Sequence, residues 1–150
     1  MMGPEGLAKS LDYAASLCSS GRSSEIVPSH LAPGDTPVSA QRWWDLGAPR
    51  GADDFFSSDL PDSALSETFG RIPVGTRVLF LFSGNDQFVP EEVDKGRLLA
   101  RWYGACEEAG ALVDKEGSGI IEGANHNFKG MPQEVVADMV GRVVKFLEGF

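Results

Sequence analysis

The unbroken apolar run Val78-Leu79-Phe80-Leu81-Phe82, entered through Gly75 and left through Ser83-Gly84, most limits what this chain can fold into. A strand with one wet face alternates apolar and polar side chains. A continuous run needs cover on both faces and marks a parallel strand inside an α/β layer. The chain beyond Gly84 agrees with a parallel strand. Residues 91–108 carry Val93, Leu98, Leu99, Trp102, Tyr103 and Cys106 on or near one helical stripe. Pro90 suits a first turn, Glu91 and Glu92 suit the positive end of the helix dipole, and Gly110 is a stop. Ser118-Gly119-Ile120-Ile121-Glu122 reads as a second, shorter strand. Residues 133–147 read as a helix with a wide apolar face of Val135, Val136, Met139, Val140, Val143, Val144 and Leu147. Strand, helix, strand, helix is a βαβα unit, so the fold class is α/β with parallel strands covered by helices.

The first half is less regular. Leu7, Leu11, Ala14, Ala15 and Cys18 recur at helical spacing before the stop signal of Gly21. Residues 23–58, rich in Pro, Gly and Ser, read as a long irregular region broken by a short helix around 38–46. A loop of that length in a compact domain is usually a lid or disordered. Residues 62–69 read as a further short helix, with Asp62 or Ser63 near its amino end and Gly70 closing it. No internal repeat is present.

The formal net charge of −9 argues against a nucleic-acid or anionic-membrane partner, and 42% hydrophobic residues are globular rather than disordered. No stretch is long enough to span a bilayer, and the opening residues 1–6 lack a basic region leading into an apolar core. The default compartment is therefore the cytosol. Cys18 and Cys106 are read as reduced, buried thiols rather than a disulfide. Neither they nor the lone His30 and His126 have the spacing of a metal site, so no metal and no cofactor is expected.

Working residues of a parallel α/β sheet sit just past the carboxyl ends of its strands. One such loop is Ser83-Gly84-Asn85-Asp86-Gln87-Phe88-Val89-Pro90 and the other is Gly123-Ala124-Asn125-His126-Asn127-Phe128. Asp86 in one and His126 in the other are candidate catalytic residues. A carboxylate on one ring nitrogen fixes the imidazole tautomer and leaves the other nitrogen free to take a proton. Taken singly, Asp86 also fits a turn aspartate and His126 a structural histidine; the pairing carries the reading. Trp43-Trp44 and Phe55-Phe56 suit aromatic packing of a lid better than an acyl pocket. Asp53, Asp54 and Asp59 read as solvated turns or caps, Lys95, Arg97 and Arg101 as the wet face of a helix, and His30 as an exposed loop residue.

Gly84-Asn85-Asp86-Gln87-Phe88-Val89-Pro90 resembles the G-x-D-x-x-V-P segment that carries the triad acid in many α/β-hydrolases, and Gly123-Ala124-Asn125-His126 resembles their G-A-x-H segment. Asp53-Asp54-Phe55-Phe56-Ser57-Ser58-Asp59-Leu60, Val93-Asp94-Lys95 and, more weakly, Pro37-Val38-Ser39-Ala40-Gln41-Arg42 are similar to one branch. That branch is an α/β-hydrolase-like family of unknown function found largely in fungi and plants (DUF1749). The resemblance runs from about Leu7 to the end. It implies a partial α/β-hydrolase fold, with lid or cap helices in residues 1–70 and the last two parallel strands with their helices in 71–150. It further implies acyl-ester hydrolysis of a small molecule, with His126 as general base then acid and Asp86 orienting it.

The family's nucleophile, on a sharp turn after a central strand, has no match: there is no G-x-S-x-G, and Glu116-Gly117-Ser118-Gly119 has the wrong spacing. The expectation is therefore the carboxyl-terminal part of a serine-type hydrolase, inactive alone, with the amino-terminal strands missing. The alternatives are a non-catalytic remnant acting as a binding module and a split enzyme completed by a second chain. An apolar strand edge left unpaired would favour self-association.

Overall fold

The computed structural model describes residues 4–32 and 36–149; residues 1–3 of the opening, 33–35 of the irregular region, and 150 lie outside the described residues. The chain is α/β, with short parallel strands. It divides into two compact units, Met1–Ser57 and Ser58–Phe150. No helix among the described residues is long and apolar enough to cross a membrane.

In the first unit, α1 (Pro4–Ser19) packs on α2 (Ala40–Gly47). Past α1, the positive φ of Gly21 (76°) turns the chain so that Arg22 N donates back to Leu17 O at 2.8 Å. Ser39 caps α2, its hydroxyl accepting from Arg42 N. Between the helices, Val27 N donates to Val38 O and Ile26 bridges Ser39, folding the irregular region onto a core of Ala14, Leu17, Val27, Ala32 and Ala40. Trp43 packs against this core and donates from Nε1 to the hydroxyl of fully buried Ser10 at 3.0 Å. Asp53 pairs with Arg42, and Asp54 accepts from Ser57 N. Cys18 and Cys106 are both free thiols, but only Cys106 is buried; Cys18, on the rim of the α1 core, is partly exposed.

In the second unit, α3 (Asp62–Thr68) starts after Pro61 without a side-chain cap and runs into a 3-10 turn, Phe69–Arg71. Gly70 thus lies inside that turn and does not close the helix. The apolar run is not one strand. It forms β1 (Arg77–Val78) and β2 (Leu81–Ser83), which pair in parallel with different partners: β1 with β3 (Leu112–Val113) and β2 with β4 (Gly119–Ile121). The partner side explains the break. Asp114 turns the chain by accepting from Glu116 N and Gly117 N, and Ser118 N returns to Asp114 O. Across that excursion, the Ser118 hydroxyl accepts from Phe80 N at 2.9 Å and replaces a ladder carbonyl.

Helix α4 (Lys95–Glu108) begins four residues later than its acidic signals suggest. Pro90 starts a turn, with Val93 N donating to Pro90 O, and Asp94 then caps the helix by accepting from Arg97 N at 2.9 Å. An aspartate placed to reach a free amide of the first turn outweighs two glutamates that act only through the dipole. The buried stripe of α4 (Leu98, Leu99, Trp102, Ala105 and Cys106) packs on Leu60, Leu65 and Phe80. Around it, the rings of Phe69, Phe80 and Phe82 meet Trp102, and those of Phe69 and Tyr103 meet Phe80, with centroids 5.4–5.9 Å apart. The face of α4 that the sequence marks as wet is wet only in part. Arg101 reaches Asp62 and the carbonyls of Ser58 and Leu60, and Lys95 turns back toward β2. Helix α5 (Gln133–Glu148) packs against β4 and has no fully buried residue.

Candidate active site

Two strand ends build the site. Past β2, Gly84 N donates to Ile121 O at 2.9 Å and Asn85 N donates to Ala124 O at 2.8 Å, so the ladder continues into the loops. Gly84 is required there. A Cβ on it would lie 2.9 Å from Ile121 O and 3.2 Å from Glu122 Cα, backbone atoms that cannot move aside. On the other side, Gly123 takes a positive φ of 74°, turning the chain at the end of β4. These two contacts bring the side chains of Asp86 and His126 together.

His126 Nδ1 lies 2.8 Å from Asp86 Oδ2. The other carboxylate oxygen of Asp86 accepts from Phe88 N at 2.9 Å. The turn reading of Asp86 and the pairing reading are therefore both satisfied, one by each oxygen. Their environments differ: the Asp86 side chain is 9% exposed and that of His126 is 55% exposed. A buried acceptor behind a half-exposed ring fixes the ring from within and leaves its outer edge accessible. Among the described residues, Nε2 takes no hydrogen bond, which is the atom a base would use.

Two residues that the sequence reading passed over also hold the histidine. Gln87 Oε1 accepts from His126 N at 3.2 Å, and the Phe88 ring meets the imidazole edge-on with centroids 4.9 Å apart. Both occupy open positions of G-x-D-x-x-V-P, where a pattern specifies nothing. The only signal for them was adjacency to Asp86. The histidine loop is braced by Asn125, whose N lies 3.4 Å from Met131 Sδ and whose Nδ2 donates to Lys129 O at 3.0 Å. It closes through Phe128 in the left-handed region, φ 59°.

No nucleophile joins the pair among the described residues. Ser118 is buried and committed to Phe80 N, and Tyr103 shares a hydrogen bond with it. Cys106 is fully buried, and burial pushes its thiol above the usual range. His30 is exposed, outside this unit. Among the described residues, no group of acidic, histidine and cysteine side chains is arranged to hold a metal ion.

Three fungal proteins resemble this sequence. It is 44% identical over 110 residues to the fusarinine C esterase sidJ of Aspergillus fumigatus, a match covering 67% of this chain and 31% of that protein. It is 42% identical over 129 residues to the esterase AN6793 of Emericella nidulans, covering 77% and 34%. With the UPF0613 protein PB24D3.06c of Schizosaccharomyces pombe it shares 34% identity over 125 residues, covering 78% and 39%. Among solved structures, the siderophore hydrolase EstB of Aspergillus fumigatus superposes with a TM-score of 0.73 at 31% identity, over 97% of this chain and 48% of that one. The chain thus spans about a third of the length of the curated relatives it matches and about half of the solved chain. The model of the family described as "Protein of unknown function (DUF1749)" matches residues 2–148. With that match over nearly its whole length, the chain belongs to the DUF1749 family, and two of the relatives it matches are named as fungal esterases.

Proposed function

We propose that this chain supplies the acid and the histidine of a serine-hydrolase triad within a partial α/β-hydrolase fold, and that the serine and its oxyanion donors come from residues outside this sequence. One observation carries the reading: His126 Nδ1 lies 2.8 Å from Asp86 Oδ2, with the imidazole half-exposed. In the assembled site, Asp86 holds the ring with its proton on Nδ1. Nε2 then takes the serine proton as acyl transfer begins and returns it to the leaving group. The chain alone is inactive, since the serine and most of the transition-state stabilisation lie elsewhere. The substrate is a small-molecule ester. Fusarinine C and siderophores are the first to test, because one relative is named a fusarinine C esterase and one solved neighbour a siderophore hydrolase.

The test is labelling by a fluorescent fluorophosphonate, on this chain and on a polypeptide extended upstream to about the relatives' length. Labelling of the longer polypeptide alone, abolished by His126→Ala and strongly reduced by Asp86→Asn, is the expected result. Wild-type intensity in His126→Ala would remove the histidine from the mechanism. A longer polypeptide that never labels would turn the reading toward a non-catalytic binding module.

A further inference from the structure

The three residues Val93-Asp94-Lys95 enter α4 with different tasks. Val93 packs against the aromatic core and Asp94 caps the helix. Lys95 is then the first residue of that helix, at the positive end of its dipole, where a cation is disfavoured. Helix stability does not explain a lysine at this position. Its side chain does not run out to solvent either: it folds back along the Phe82 ring, with Nζ 5.9 Å from the ring centroid. There the ammonium donates to Gly84 O and lies 3.5 Å from Ser83 O.

Those carbonyls belong to the last residue of β2 and the first residue of the acid loop. From the opposite direction, β4 and its loop hold the same stretch through the amides of Gly84 and Asn85. Asp86 comes next. The backbone that aims its carboxylate is thus gripped on the amide side by the ladder and on the carbonyl side by one ammonium. A charge-assisted hydrogen bond to a carbonyl is stronger than a neutral one, and this one is partly shielded from water.

We propose that Lys95 is a positioning residue for the Asp86–His126 pair: it fixes the end of β2 so that the carboxylate meets Nδ1. It touches neither partner and acts through the backbone. The inference rests on the reading of Asp86 and His126 as the acid and histidine of the site.

The experiment is proton and nitrogen NMR of the full 150-residue chain, tracking the low-field His126 Nδ1 proton and the ring-nitrogen shifts that report the tautomer. Wild type is expected to show the proton and Asp86→Asn to lose it; a wild type without it overturns the pair itself. Lys95→Met keeps the stem over Phe82 and removes the charge. Its Nδ1 proton should exchange about tenfold faster or vanish, as loss of a charge-assisted bond implies. Lys95→Arg should restore it. Arg101→Met, which frees the segment around Asp62, should lower the melting temperature and leave the Nδ1 proton unchanged. A Lys95→Met chain with the wild-type Nδ1 exchange rate and tautomer overturns the proposal while leaving the pair intact. Should Lys95→Met fail to fold, the wild-type Lys95 ammonium decides. Slow exchange with a coupling to the Gly84 carbonyl supports the role, and fast exchange without one overturns it.

Discussion

Cys106 and Tyr103 sit on α4, one turn apart, and burial pushes both of their pKa values up, from ordinary values of 9.0 and 10.0. In Tyr103 the hydrogen bond with Ser118 partly offsets that rise. Each group keeps its proton to higher pH in the folded chain than in the unfolded one. Above about pH 9 the unfolded chain therefore binds fewer protons than the folded chain, and stability falls as pH climbs. A series of thermal melts from about pH 8 to pH 11 should show the melting temperature falling, with a shallower slope in Cys106→Ala. A flat profile would mean that both groups titrate as though exposed. At this scale the geometry of the candidate site was half legible. Asp86 and His126 declared themselves because each is the titratable residue in a loop past a strand. Gln87, Phe88 and Lys95 did not, because what they do depends on which backbone atoms arrive beside them. Helical spacing places Lys95 on a side of α4 but says nothing of a carbonyl within reach of its ammonium.

The same distinction separates the elements that were legible from those that were not. α1, α4 and α5 follow from apolar spacing, although α4 starts at Lys95 and not at Glu91. The break between β1 and β2 does not follow, because its cause lies in the partner strand: the Asp114 turn inserts residues opposite Leu79 and Phe80. β3 was missed for a related reason, as Leu112-Val113 is too short to show a pattern before Asp114 interrupts it. Ser118 is the residue that makes the break tolerable, so its hydroxyl should be costly to remove. Ser118→Ala leaves the buried Phe80 amide without an acceptor, and urea unfolding should show a loss of about 1–3 kcal/mol. A change of only a few tenths would mean that another group takes over the amide.

At the scale of the molecule, the two strand pairs gain no third strand among the described residues, and α5 leaves Val140, Val144 and Leu147 46%, 45% and 57% exposed. The wide apolar face read from the sequence is covered only in part: Val135, Val136, Met139 and Val143 are half-buried, while these three stay exposed. Burial is worth about 25 cal/mol per Å² of apolar surface, so covering such a face is favourable wherever a partner is available. We expect the isolated chain to self-associate. Light scattering across a dilution series should show mass rising with concentration, and the double substitution Val140→Glu, Val144→Lys should reduce that rise. A monomer at every concentration would contradict the expectation.

The acid and the histidine are forty positions apart, with all of α4 between them. Their hydrogen bond cannot close until the crossover is complete and β2 has found its register on β4. A slip of one residue would turn every side chain of β2 to the opposite face and carry Asp86 away from the imidazole. The pair therefore reports the register of the fold: in refolding, its low-field proton should be among the last signals to return, and a misregistered chain would not show it.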